Sequence, residues 1–116
     1  MAKDYEEITQ SILGGMKAIR AHVPDMSKSF TELAAATAGT DGALDEKTKE
    51  LICLAIGVIK HCDGCVGFHT RKLAKLGATE EEVAEALGVT VYMGGGPALM
   101  TAAEAMAGFQ AWLEKS

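Results

Sequence analysis

Glu50-Leu-Ile-Cys-Leu-Ala-Ile-Gly-Val-Ile-Lys-His-Cys-Asp-Gly-Cys-Val-Gly-Phe-His69 is the stretch on which the reading of this chain turns. From Leu51 to Ile59 it is apolar on nearly every side, the pattern of a helix placed centrally in a core. Asp45 is a good N-cap for that helix, which is expected to end near Lys60. His61-Cys62-Asp63-Gly64 then breaks the run. A second helix follows and closes at Gly77, with Lys72 and Lys75 in its last turns, the residue types that favour a helix C-terminus. The stretch therefore predicts two antiparallel helices joined by a tight, cysteine-bearing turn.

The same periodicity extends on both sides. Upstream, Ile8, Ile12, Leu13, Met16 and Ile19 mark a helix over Tyr5 to Ala21, with Gly14-Gly15 expected to bend or interrupt it. Pro24 ends that helix, and Asp25 to Thr37 is a second one carrying Met26, Phe30, Leu33 and Ala34. Thr37-Ala-Gly-Thr-Asp-Gly42 reads as a loop. Downstream, Thr79-Glu-Glu-Glu82 fits a capping box and opens a helix toward Tyr92. Gly94-Gly-Gly-Pro97 separates it from a last helix, Ala98 to Leu113. No segment reads as a strand, a repeat or a linker, so the expectation is one all-α domain over residues 1–116, a bundle of about six helices.

Composition narrows the function. Hydrophobic residues make up 48% and charged residues 23%, enough for a core, while aromatics are only 5% and prolines two, which favours helices packed through small aliphatic side chains. The formal charge of −5, with no basic block, argues against nucleic-acid binding. The uncharged run Gly88 to Ala103 is broken by three glycines and Pro97, so no membrane span is expected. Asp4, Glu6 and Glu7 near the start argue against a secretory signal, and a cytoplasmic protein is expected. A chain of 116 residues this apolar also leaves helix faces to cover. A homo-oligomer is therefore expected, with Val89, Val91, Met93, Leu99, Met100 and Met106 as candidate interface residues.

The chemistry gathers at the turn. Of three cysteines, Cys62 and Cys65 form a CxxC pair, which in a reducing compartment points to redox chemistry or metal binding rather than a structural disulfide. At a helix start, N–H groups and the helix dipole favour a thiolate. His69 follows Cys65 by four residues and shares its helix face. Glu50 lies about 15 Å back from the turn and His69 about 10 Å along the returning helix, at the rise of an α-helix, so antiparallel packing brings them within bridging reach. A carboxylate beside an imidazole fixes its tautomer and raises its basicity, and that imidazole can take a proton from Cys65. Cys53, in the apolar run, reads as a core cysteine.

Glu50, Cys62-x-x-Cys65 and His69, in this order and spacing, resemble the AhpD-like alkylhydroperoxidases of the carboxymuconolactone decarboxylase superfamily. The resemblance covers about half the chain, roughly Leu44 to Gly94, taking in Gly77-Ala-Thr-Glu-Glu-Glu82 and the glycine-rich break. It implies an all-helical fold, assembly into trimers or hexamers, and no bound cofactor. It further implies that Cys65, deprotonated through Glu50 and His69, reduces a peroxide. Cys62 then resolves the sulfenic acid and exchanges with an external lipoyl or thioredoxin-like dithiol. Some AhpD-like enzymes carry a second relay histidine just before the second cysteine; here that position is Gly64, and His61 is the candidate substitute. The decarboxylases of the superfamily typically lack the CxxC pair, so lactone decarboxylation is not expected.

One rival reading stays open. His61, Cys62, Cys65 and His69 count to the four donors of a structural zinc site. The alternative is thus a non-catalytic oligomeric binding module stabilised by zinc, although adjacent His61 and Cys62 are hard to seat on one tetrahedral centre.

Overall fold

Short polar side chains set most helix starts. In this computed structural model, which describes residues 2–116, Asp4 accepts the Glu7 N–H and opens α1 (Tyr5–His22). Asp45 accepts the Thr48 N–H and opens α3 (Glu46–Ile59). Thr79 and Glu82 form a reciprocal capping box at the head of α5 (Glu80–Gly94). Pro24 stands in the first turn of α2 (Pro24–Thr37), where its missing N–H costs nothing. At α4 (Asp63–Lys75) the cap is a sulfur, that of Cys62. The last helix, α6 (Gly96–Glu114), begins directly after Gly95. The described residues contain these six helices and no strand.

Two glycine readings need correcting. Gly14 and Gly15 neither bend nor interrupt α1, which runs unbroken to His22. Each costs about 1 kcal/mol of helix propensity relative to alanine, too little to break a capped 18-residue helix. The Gly94–Pro97 break shrinks to Gly95 alone, whose φ of 77° turns the chain between α5 and α6 in one residue. Such a left-handed φ is open to glycine at no steric cost.

One core unites α3, α4, α5 and α6: Leu54 and Val58, Val66 and Leu73, Val83 and Leu87, then Ala102, Ala105, Phe109 and Trp112. Trp112 Nε1 donates to Thr70 Oγ1 at 3.1 Å, so the indole is buried without an orphaned N–H. From α1, Tyr5 lays its ring between Gly67 and Gly108: a Cβ at Gly108 would sit 2.7 Å from the ring, and one at Gly67 would sit 2.6 Å from Thr9 Cγ2 and 3.3 Å from the ring. That contact pins the start of α1 across α4 and α6.

The part of α1 beyond Ile12 and all of α2 stand off this core. No residue of α2 is buried, and Met16, Ile19, Met26 and Phe30 are exposed. Nor is α3 central on every side: Ile52, Ile56 and Ile59 point outward and, with Val89 and Met93, line an apolar groove of about 450 Å³. Val89, Met93, Leu99 and Met100 lie exposed. Val91 and Met106 instead pack inward against the core. Among the described residues no helix is long and apolar enough to cross a membrane.

Candidate active site

The turn from α3 to α4 is held by its backbone. Cys62 N–H donates to Gly57 carbonyl at 3.0 Å and His61 N–H to Val58 carbonyl at 3.0 Å, closing α3. His61 takes a left-handed φ of 52°, the one non-glycine described residue to do so. Its ring reaches α6, where Nδ1 lies 2.7 Å from Thr101 Oγ1. Gly64 faces α1, and a Cβ there would sit 2.7 Å from Ile12 Cδ1. A side chain at Gly64 is thus met by Ile12.

The two cysteines are treated unequally. Cys65 N–H donates to Cys62 Sγ at 3.2 Å, so the first turn of α4 gives its N–H to Cys62. Burial, then the hydrogen bond and charge of Cys62, push the Cys65 thiol up to about 11. The helix start therefore does not favour both sulfurs as the sequence suggested: Cys65 stays a thiol near neutrality unless a base takes its proton. Both are half-buried, so exposure does not separate them.

One turn further along α4, His69 Nδ1 lies 2.8 Å from Glu50 Oε1 on α3. Glu50 is 5% exposed, while the His69 side chain keeps 30% of its surface open. A carboxylate at this distance holds the Nδ1 side of the ring by a hydrogen bond and orients it, leaving Nε2 as the nitrogen free to meet another group. Glu50 and His69 line a cavity of about 330 Å³ shared with Glu46, Phe68, Lys72, the α2 residues Ala34 and Ala35, and Ala38 just past the end of α2. So α2, poorly attached elsewhere, contributes one wall beside this pair.

The structure adds a residue that sequence reading assigned to the core. Cys53, three residues after Glu50, is half-buried beside the Glu50–His69 pair, and burial followed by the Glu50 charge pushes its thiol upward. The i,i+3 spacing from Glu50 to Cys53 on α3 was the available signal. By contrast, His61, Cys62, Cys65 and His69 do not converge as zinc ligands. His61 is drawn to Thr101 and His69 to Glu50, and among the described residues the metal-competent cluster is Glu50, Cys53 and His69.

These features define a class: an all-helical domain with a dithiol at a helix N-terminus and a buried Glu–His pair one turn behind it. The chain belongs to the Carboxymuconolactone decarboxylase family, whose profile matches residues 24–108, and to its AhpD-like superfamily. It is similar over nearly its whole length to apo-lpg0406, a carboxymuconolactone decarboxylase family protein from Legionella pneumophila. The crystal structure of that protein superposes with a TM-score of 0.91 at 49% identity, covering 94% of this chain and 96% of that one. An uncharacterised protein of Cupriavidus necator is 48% identical over 71 residues, covering 61% of this chain and 63% of its own length. Uncharacterised protein 4 in the cox locus of Paracoccus denitrificans is 39% identical over 67 residues, covering 58% of this chain and 60% of its own length. The matches thus span less than two thirds of these curated relatives.

Proposed function

We propose that the protein is a thiol-dependent oxidoreductase that reduces an organic hydroperoxide through Cys65 and Cys62. The observation that carries this reading is the 2.8 Å contact of His69 Nδ1 with buried Glu50, one turn behind a thiol that burial holds up near 11. A raised thiol needs a base, and this pair is the base within reach of its helix face.

His69 Nε2 takes the Cys65 proton, directly or through one water, and Glu50 stabilises the imidazolium. The Cys65 thiolate attacks the outer peroxide oxygen, the O–O bond breaks, and the alkoxide leaves as an alcohol with the proton held on His69. Cys65 is now a sulfenic acid. Cys62 attacks its sulfur, water leaves, and a Cys62–Cys65 disulfide forms. The peroxide has gained two electrons and the dithiol has lost two. An external dithiol of lipoyl or thioredoxin type restores both thiols by two exchange steps. The setting is a cytoplasm that keeps such dithiols reduced.

A second reading rests on one observation, the Cys65 N–H donated to Cys62 Sγ. It favours Cys62 as the first nucleophile toward a disulfide substrate, making the protein a disulfide reductase with the roles exchanged. Treating Cys62→Ser and Cys65→Ser with one equivalent of cumene hydroperoxide, followed by mass spectrometry, separates the two. The peroxidase reading expects a sulfenate on Cys65 in Cys62→Ser and no peroxide consumption by Cys65→Ser. A sulfenate on Cys62 in Cys65→Ser at undiminished rate reverses the assignment.

The open apolar groove of α3 and α5, with exposed Tyr92, Leu99 and Met100 near it in sequence, supports assembly as a homotrimer or homohexamer.

A further inference from the structure

We propose that Glu50, Cys53 and His69 form a binding site for a divalent transition metal of the zinc class. Each offers one donor atom, and the three donors lie within 4.8 Å of one another. Glu50 and Cys53 stand on one face of α3, three residues apart, and His69 reaches them from α4. One carboxylate oxygen, one sulfur and one imidazole nitrogen are a donor set that zinc accepts, and three protein ligands leave a fourth place for water.

The surroundings favour an ion there. A carboxylate and a thiolate together cancel a dication, so the loaded site is neutral, which suits a place where Glu50 is 5% exposed. The metal takes the place of the hydrogen bond between His69 Nδ1 and Glu50 Oε1, 2.8 Å apart. Tetrahedral zinc with bonds of about 2.0–2.3 Å sets ligand atoms roughly 3.3–3.7 Å apart, so the cluster reaches this geometry by side-chain adjustments within its present span. Entry lies through the cavity of about 330 Å³ that Glu50 and His69 line, which also has room for the water ligand. Where the thiol chemistry proposed above operates, a bound metal occupies both members of the base pair and halts it. The binding itself does not depend on that reading.

Cobalt(II) added to the reduced, metal-free chain, with no peroxide present, tests the site. One cobalt per chain is expected, with a near-ultraviolet thiolate-to-cobalt band and tetrahedral visible bands, both displaced by zinc. The bands should persist in the Cys62→Ser/Cys65→Ser double variant. In Cys53→Ser the thiolate band should vanish and affinity fall at least tenfold. X-ray absorption of the zinc-loaded native chain should count one sulfur among its ligands, a reading that requires no variant to fold. Two sulfurs, a thiolate band that survives Cys53→Ser or disappears in the double variant, or no saturable one-to-one binding would overturn the proposal.

Discussion

Gly57 on α3 lies flat against Cys65 on α4: a Cβ added at Gly57 would stand 2.8 Å from the Cys65 Cβ. The close crossing of these helices, and with it the depth at which Cys65 is held, depends on the missing side chain. Gly57→Ala must push α4 away from α3, an overpacking that costs about 1–3 kcal/mol. Gly15→Ala, where nothing lies within 4 Å in an exposed helix interior, should instead gain up to about 1 kcal/mol. Urea unfolding midpoints of the two variants should therefore move in opposite directions. A Gly57→Ala midpoint equal to the parent's would mean the crossing is not tight.

Glu50→Gln and His69→Ala should each slow the first oxidation of Cys65 by about a hundredfold to ten-thousandfold near neutral pH. The deficit should shrink as pH approaches about 11, where Cys65 ionises without help. Stopped-flow rates across pH test this. A deficit in His69→Ala that stays constant over the whole range would remove His69 as the base.

Folding stability should fall in alkali. The folded chain holds the Cys65 thiol near 11 against an ordinary value of 9.0, so it favours the protonated form more than the unfolded chain does. The associated stability is complete below about pH 9 and is lost as pH rises toward about 11. Cys65→Ala should flatten this part of the pH–stability curve, measured by denaturant titration at constant ionic strength.

Tyr5 is 4% exposed, and its hydroxyl is buried without a hydrogen-bond partner. Burial pushes it up to about 12. Tyr5→Phe keeps the ring between Gly67 and Gly108 and removes the orphaned group, whose burial costs about 1–3 kcal/mol. The variant's Tm should rise. A fall would reveal a partner for the hydroxyl in solution.

Ile56, 52% exposed in the middle of the apolar groove, is the position from which to test assembly. Light scattering of the native chain should give a trimer or hexamer, and Ile56→Glu should lower the mass toward one chain while helicity by circular dichroism is retained. A native chain that scatters as a monomer would end the oligomer proposal.

Much of this molecule could be read along the chain because its signals are local. Asp45 and the Thr79–Glu82 box mark helix starts through bonds to neighbours three residues away, and Pro24 marks the boundary between α1 and α2 by its ring and missing N–H. The Glu50–His69 pairing was also legible, since the rise of two helices about a short turn fixes which residues come level. Other features rest on contacts distant in sequence. His61 turns to Thr101, forty residues away, and Gly64 meets Ile12 of α1. Gly14 and Gly15 looked like a break because propensity alone cannot weigh two glycines against a full run of helical hydrogen bonds.

The sequence by itself determined six helices, their order, and the placement of a CxxC pair at a helix start with a carboxylate and a histidine one hairpin apart, because each depends on side-chain type and on spacing along the chain. Only the tertiary structure decided how far burial raises Cys65, and that Cys53 stands beside Glu50 and His69 rather than in the core. Those properties come from the angle and closeness at which α3 crosses α4. Steric contact across the fold, at Gly57 above all, sets that crossing, and contacts between distant residues leave no periodic mark along the chain.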